Sequence, residues 1–298
     1  MRTRKLGPLD VTVVGLGCNQ FGGRLDANET RAVVDAALDA GVTFLDTADI
    51  YGGGGGSETV LGLALEGRRD RVVLATKFGK EMGDGAARRG APAYVRRCLE
   101  ASLQRLRTDV IDLYQHHEED EGTPLEETIG TLEELVSEGK IRAYGTSNYR
   151  VETLERARAI ASAAFVSEQS EYSWLRRGAE DALLPACERL GLGFIPYFPL
   201  ARGLLTGKVS ADRPPAEGTR LHNASIPAAD LERTARLSDW AADNGVSLLD
   251  VAIGGLAAMP AVVSVIAGAS RAEQVRANAA AGEWEPTAEQ LSELRSLA

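Results

Sequence analysis

Residues able to move protons stand at short intervals in the first half of the chain: Asp46 and Tyr51 in "FLDTADIYG", Lys77 in "LATKFG", and the adjacent His116 and His117 in "DLYQHH". A polar "GTSN" follows at 145–148. With a pKa near about 10, a tyrosine is a weak acid at neutral pH, but an adjacent ammonium stabilises its phenolate. Lys77 is the ammonium at hand, and Asp46 is the carboxylate that would keep it charged and oriented. On this reading Lys77 lowers the pKa of Tyr51, and the tuned phenol donates a proton to a carbonyl oxygen as a hydride reaches the carbon. Taken singly, each residue has a structural use: the aspartate caps a loop, the tyrosine satisfies one hydrogen bond, and the lysine snorkels to water. Their grouping is what points to chemistry.

The elements that must bring them together alternate along the chain. "VTVVGLG", "VTFLDTA", "RVVLATK", "VIDLYQHH", "IRAYGTS", "FVSEQ", "GFIPYFP" and "VVSVIAG" are short β-branched runs, each followed by an amphipathic stretch. Strands apolar on both faces, each followed by a helix, predict a parallel sheet with helices outside it, and eight such units predict a closed (β/α)8 TIM barrel. No Pro/Ser-rich linker divides the chain, so 1–298 reads as one domain, with a short N-terminal hairpin and a long loop, 201–229, after the seventh strand. Asn28 is the expected N-cap of the first long helix, and Gly41, Gly67, Gly139, Gly191 and Gly245 fall where helices should stop. In such barrels chemistry sits at the C-terminal ends of the strands, where Asp46, Lys77 and the two histidines fall.

Bulk properties narrow the partners. A net charge of −10 and a pI near 5.0 disfavour nucleic acid and anionic membrane surfaces. Three scattered cysteines, Cys18, Cys98 and Cys187, without CxxC spacing, predict a reducing cytoplasmic setting and no metal site. The start of the chain is too strand-like for a signal segment. The uncharged run at 251–269 approaches membrane-spanning length, but Gly254, Gly255 and Pro260 favour a buried helix, a turn and a buried strand instead. A small-molecule partner is expected, and homo-oligomerisation is compatible with the sequence.

At this point the chain resembles the aldo-keto reductases, in their bacterial, channel-β-subunit-like branch. "FLDTADIYG", "LATKFG", "DLYQHH", "YGTSN", "SEQSEYS", "YFPLARGLLTGK" and "IAGASRAEQVRAN" are similar to that family's second to eighth strand motifs, in order. The resemblance implies Tyr51 as the acid, Asp46 and Lys77 as its partners and, counting from Asp112, His117 rather than His116 as the catalytic histidine. The tryptophan or proline usual after that histidine is replaced by Glu118, Glu119 and Asp120. It implies a nicotinamide dinucleotide across the barrel mouth. Ser147, Asn148 and Gln169 would hold the carboxamide and Tyr197 would stack on the ring. Backbone at Gly17, Cys18, Asn19, Phe198, Pro199, Leu200 and Gly203 would approach the dinucleotide, with Lys208 near its phosphates. Gly268, Ala269 and Ser270 would offer amides at a helix start, Arg271 would pair with a 2′-phosphate, and Gln274 and Asn278 would lie by the adenine. Arg271 favours NADPH over NADH. Phe21, Ile50, Phe78, Glu118 and Trp174 are the expected substrate lining.

The glycines at 52–56 complete neither a GxGxxG nor a GxxxxGK[ST] motif, so they are read as leaving space beside Tyr51 for a substrate carbonyl. The function implied is NADPH-dependent reduction of aldehyde or ketone carbonyls, sugar-like ones included. Two other readings stand beside it. In one, Lys77 is a Schiff-base nucleophile of an aldolase-like barrel. In the other, the chain is a dinucleotide sensor or channel-associated subunit with little turnover.

Overall fold

The computed structural model describes every residue except Asp84, Ala211 and Ala298; Ala211 falls within the long loop expected after the seventh barrel strand. Its strands are β1 (Thr3–Leu6), β2 (Leu9–Thr12), β3 (Val14–Gly17), β4 (Phe44–Asp46), β5 (Val73–Phe78), β6 (Ile111–His116), β7 (Ile141–Ser147), β8 (Phe165–Glu171), β9 (Gly193–Tyr197) and β10 (Val265–Gly268). The last eight form one parallel sheet in the order β10-β3-β4-β5-β6-β7-β8-β9. Closure runs through Phe194, whose N–H donates to Ala261 O (2.7 Å) and whose carbonyl accepts from Val263 N (2.9 Å). This is the expected (β/α)8 barrel.

The first strand differs from its sequence reading. "VTVVGLG" divides at Val13: its first half pairs antiparallel with β1, and only its second half enters the barrel. The hairpin plugs the barrel floor, where Leu6, Leu9 and Val11 pack on Phe44, Ala75, Leu113, Ala143 and Ile195. Outside the staves lies the larger apolar layer, built from β-strand side chains and the inner faces of the helices.

Helix ends follow local chemistry. The N-cap of α1 (Ala27–Asp39) is Asp26, not Asn28, because Asp26 and Glu29 cap each other: Glu29 N donates to Asp26 Oδ1 (2.8 Å) and Asp26 N to Glu29 Oε2 (3.0 Å). Gly191 ends a helix in the left-handed region at φ 68, and the other four glycines expected to stop helices also carry positive φ. The uncharged run at 251–269 is a one-turn π-helix (Val251–Gly255), a turn, and β10. The wide turn accommodates Trp174, whose Nε1 donates to Val251 O at 2.7 Å. No helix among the described residues is long and apolar enough to cross a membrane.

Candidate active site

Strand alternation decides which side chains reach the barrel mouth. On β6, Leu113 lies among the interior floor residues and Tyr114 in the outer layer, so Gln115 faces inward and His116 outward. His116 is accordingly stacked on Phe78 (4.9 Å) with Nδ1 2.7 Å from the Tyr149 hydroxyl. His117, one residue past the strand, turns to the mouth and meets Tyr51 edge-on at 5.8 Å between ring centroids. The two neighbouring histidines thus occupy different layers.

Beneath His117 a buried polar cluster closes the interior. Lys77 Nζ donates to Asp46 Oδ2 (2.5 Å) and Thr47 O (2.9 Å), and Asp46 Oδ1 accepts from Gln169 Nε2 (3.0 Å) and Gln115 Nε2 (3.2 Å). Gln115 carries no signal in the sequence beyond its place in the alternation. Gln169 reaches inward because β8 slips register: Tyr144 pairs with Phe165 but Gly145 with Ser167, leaving Val166 as an extra residue. Without the slip, alternation from the outward Phe165 would turn Gln169 away.

The electrostatics correct one expectation and sharpen others. Burial pushes the Tyr51 phenol above its ordinary value, and the charge and hydrogen bond of Lys77, 5.4 Å from the ring centroid, offset only part of that rise. The expected net lowering of Tyr51 by Lys77 is therefore overruled by desolvation. Burial alone would lower Lys77, but Asp46 and Tyr51 more than offset it and hold the ammonium. A protonated lysine is not the free amine that Schiff-base chemistry needs. Burial, then Lys77, Lys80 and His116, push His117 down to about 2, so it is a neutral imidazole. The following acids do not raise it. Glu119 is paired with Arg150 (2.8 Å), Asp120 accepts from Gly90 N (2.7 Å) and Gly122 N (3.0 Å), and Glu118 faces Arg89 (3.3 Å).

The expected substrate lining divides. Phe21, Phe78 and Trp174 are completely buried, Phe78 in the outer layer against Tyr114 and Trp174 against the π-turn, so they are packing residues rather than walls of the mouth. Ile50 and Glu118 are half-buried at the rim. The glycine run also does something other than clear space. A Cβ on Gly52 would lie 2.6 Å from Ser57 N, and one on Gly55 2.4 Å from Arg105 Nε, both at positive φ; Gly53 faces open surroundings, and a Cβ on Gly54 would make only an ordinary contact with Met82 Cε at 3.7 Å.

The remaining expected binding positions ring the mouth. Ser147 is buried, and Asn148 is exposed at φ 60, with Nδ2 donating to His117 O (3.0 Å) and Ser147 Oγ (3.0 Å). The Tyr197 hydroxyl donates to Asn148 Oδ1 (2.8 Å), and its ring meets Phe198 edge-on. Gly17 ends β3 beside Gly268 and Cys18 and Asn19 follow it, while Pro199, Leu200, Gly203 and Lys208 follow β9. Ser270 N donates to Gln274 Oε1 (2.8 Å), so one helix-start amide is already capped. Ala269 and Asn278 are buried and Arg271 is exposed.

Sequence reasoning missed a group of cations here. Arg202 and Arg220 lie 5.7 and 5.8 Å from the Phe198 ring, Arg220 donates to Asn19 Oδ1 (2.8 Å) and Arg24 to Gly218 O (2.7 Å). Burial and the charges of Arg24 and Arg202 lower the pKa of Arg220. Among the described residues no carboxylate forms an ion pair with any of these arginines, so they suit an anionic ligand. Phe198, Ala201 and Arg202 all have φ between 45 and 60, a conformation that non-glycine residues hold only under constraint. Among the described residues no group of three or more His, Cys, Asp or Glu converges as metal ligands.

Comparison with known proteins places this site in context. The profile of the aldo/keto reductase family matches residues 13–298. An uncharacterized oxidoreductase of Bacillus subtilis (strain 168), YqkF, is 35% identical over 302 residues, 99% of this chain and 96% of its own. Among solved structures, the holo form of aldo-keto reductase AKR11C1 from Bacillus halodurans superposes with a TM-score of 0.86 at 35% identity, covering 100% of this chain and 96% of that one. An aldo/keto reductase from Klebsiella pneumoniae in complex with NADP and acetate gives 0.76 at 31% identity, covering 99% and 94%.

Proposed function

The chain belongs to the aldo/keto reductase family, and from that premise we propose that it reduces aldehyde or ketone carbonyls to alcohols with NADPH, Tyr51 serving as the general acid. One observation carries the reading: at a single barrel mouth a half-buried phenol stands beside a charged lysine, itself held by a buried aspartate, and beside a neutral imidazole. When bound, the reduced nicotinamide supplies the hydride.

The chain's own residues do the rest. Lys77, fixed by Asp46 and Thr47 O, stabilises the negative charge that appears on the Tyr51 oxygen once its proton has gone to the substrate oxygen. A phenol with a raised pKa stays protonated at neutral pH, which suits a proton donor. His117, neutral, offers an N–H to the carbonyl without adding a charge that would compete for the lysine's field. Ser147 and Asn148 supply hydroxyl and amide groups for the carboxamide, and the outer amide atoms of Gln169 could join them, its Nε2 being engaged by Asp46. For the dinucleotide's phosphates, the cations without carboxylate partners, Arg24, Arg202 and Arg220, fit as well as the expected Lys208. Arg271 at the start of the helix Ala272–Ala281 suits a 2′-phosphate, hence NADPH over NADH. A cytoplasmic site of action accords with these cofactor and cysteine readings.

Tyr51→Phe tests the assignment. We expect NADPH binding within about twofold of wild type and turnover of a simple aldehyde reduced by roughly a hundredfold or more, the usual worth of a positioned acid. Undiminished turnover in a variant that binds NADPH normally would remove Tyr51 from the role.

A further inference from the structure

Behind the mouth, the first turn of the helix Gly56–Ala64 gathers hydrogen bonds from the strands that carry the site. Ser57 Oγ donates to Cys18 O (2.8 Å), just past β3, and lies 2.8 Å from Thr47 Oγ1, just past β4. Glu58, completely buried, accepts from Thr76 Oγ1 of β5 at 2.5 Å and from Arg105 Nε at 2.7 Å, with Arg105 Nη2 in ion-pair contact at 2.7 Å. Alternation explains the pattern. Asp46 and Lys77 point inward to the site, so their sequence neighbours Thr47 and Thr76 point outward and meet the helix. The same turn closes the Tyr51 loop, because Gly52 packs on Ser57 N and the bare Gly55 lets the Arg105 side chain cross to Glu58.

We propose that Ser57 and Glu58, with Thr76 and Arg105, form a positioning anchor that sets the separation of Tyr51 from Lys77, and so govern proton donation without touching substrate or cofactor. The anchor joins the Tyr51 loop to the strand that carries Lys77 through one buried carboxylate. A charge-assisted hydrogen bond at 2.5 Å tolerates little drift, and the buried charge of Glu58 has Arg105 as its counter-ion. Loss of the Thr76 bond leaves Lys77 free to shift by about half an ångström against the phenol. Where a misplacement of about 1 Å costs on the order of a hundredfold, such a shift costs roughly tenfold. The proposal rests on the reading of Tyr51 as the acid.

Thr76→Val, close in shape and without the hydroxyl, is the direct test, with Thr76→Ser as the conservative partner. For the valine variant we expect kcat roughly tenfold lower, NADPH Kd unchanged, and the basic limb of the pH profile moved to higher pH as the phenol loses part of the lysine's influence. The serine variant should recover both rate and profile. Lower thermal stability alone does not move a basic limb, which separates positioning from support of the fold. A valine variant with the wild-type rate and profile overturns the proposal, as does a serine variant as slow as the valine one. Should the valine chain not fold, Arg105→Lys, which keeps the charge and removes the fork on Glu58, must show the same slower rate and shifted limb. A wild-type profile there is equally fatal. Turnover retained in Tyr51→Phe would instead refute the acid assignment itself.

Discussion

Asp49→Asn isolates a buried carboxyl that weakens the fold in alkali. Asp49 is 1% exposed, no side chain among the described residues hydrogen-bonds its carboxyl oxygens, and the charge of Glu58 opposes its ionisation. Burial, and then that repulsion, lift its pKa from 3.8 to about 7; Arg105, the Ile50 amide and Lys77 offset only part of the rise. A carboxyl whose folded pKa lies above its unfolded value binds its proton more tightly in the native state. Its contribution to stability is therefore complete below the unfolded pKa and is lost as pH rises through the folded one. A rise of about three units is worth roughly 4 kcal/mol at most, and roughly 2.5 kcal/mol of this disappears between about pH 5 and about pH 8.5. Asparagine cannot ionise. The unfolding free energy of Asp49→Asn minus that of wild type should therefore grow by that amount over the interval, while Glu168, also raised to about 7 by burial, and the buried histidines titrate alike in both chains and cancel. Urea unfolding followed by tryptophan fluorescence across the interval measures it. A difference that stays constant with pH would refute the account of Asp49 as a protonated, desolvated acid.

Three further outcomes follow from the site. Trp174→Phe loses the bond to Val251 O and leaves a void, so it should cost roughly 2–3 kcal/mol of stability and leave KM for small aldehydes unchanged; a changed KM at native stability would restore Trp174 to the pocket. The imidazole nitrogen shifts of His117 should report a neutral ring from about pH 8 down to about pH 4, well below the ordinary value near 6.5, and a transition near that value would contradict the desolvated site. Arg220→Gln should weaken NADPH by roughly tenfold or more and flatten the salt dependence of binding, as expected for loss of a charge-assisted contact. Unchanged affinity and salt dependence would separate this cation from the phosphates.

Much of the scaffold was legible because both strand faces are apolar and helices intervene, so the period of the pattern changes at each boundary. The positions of Asp46, Lys77 and His117 at strand ends were legible for the same reason, and alternation then accounts for why His117, not its neighbour, faces Tyr51. Aromatic type was a poorer guide. Phe21, Phe78 and Trp174 serve a core as readily as a pocket; the outward phase of β5 decides for Phe78, the π-turn at Val251 for Trp174, and complete burial for Phe21. The extra residue Val166, which turns Gln169 inward, leaves no mark in composition. Arg202 and Arg220 lie on the long loop after β9 and Arg24 on a loop near the start of the chain, so their approach to one another depends on how the chain closes. Desolvation of Tyr51 was likewise hidden, since the strength of a neighbouring charge can be guessed from sequence but the depth of burial that opposes it cannot.

The central claim is most directly tested by following the hydrogen itself. Purified protein supplied with NADPH deuterated at C4 of the nicotinamide, in parallel preparations carrying the label on either face, and with an aromatic aldehyde should yield alcohol with one deuterium on the carbinol carbon from one preparation only. The reduced-nucleotide absorbance should fall in step. NADPH bound without loss of absorbance, or alcohol formed without the label from either preparation, would contradict hydride reduction at this site.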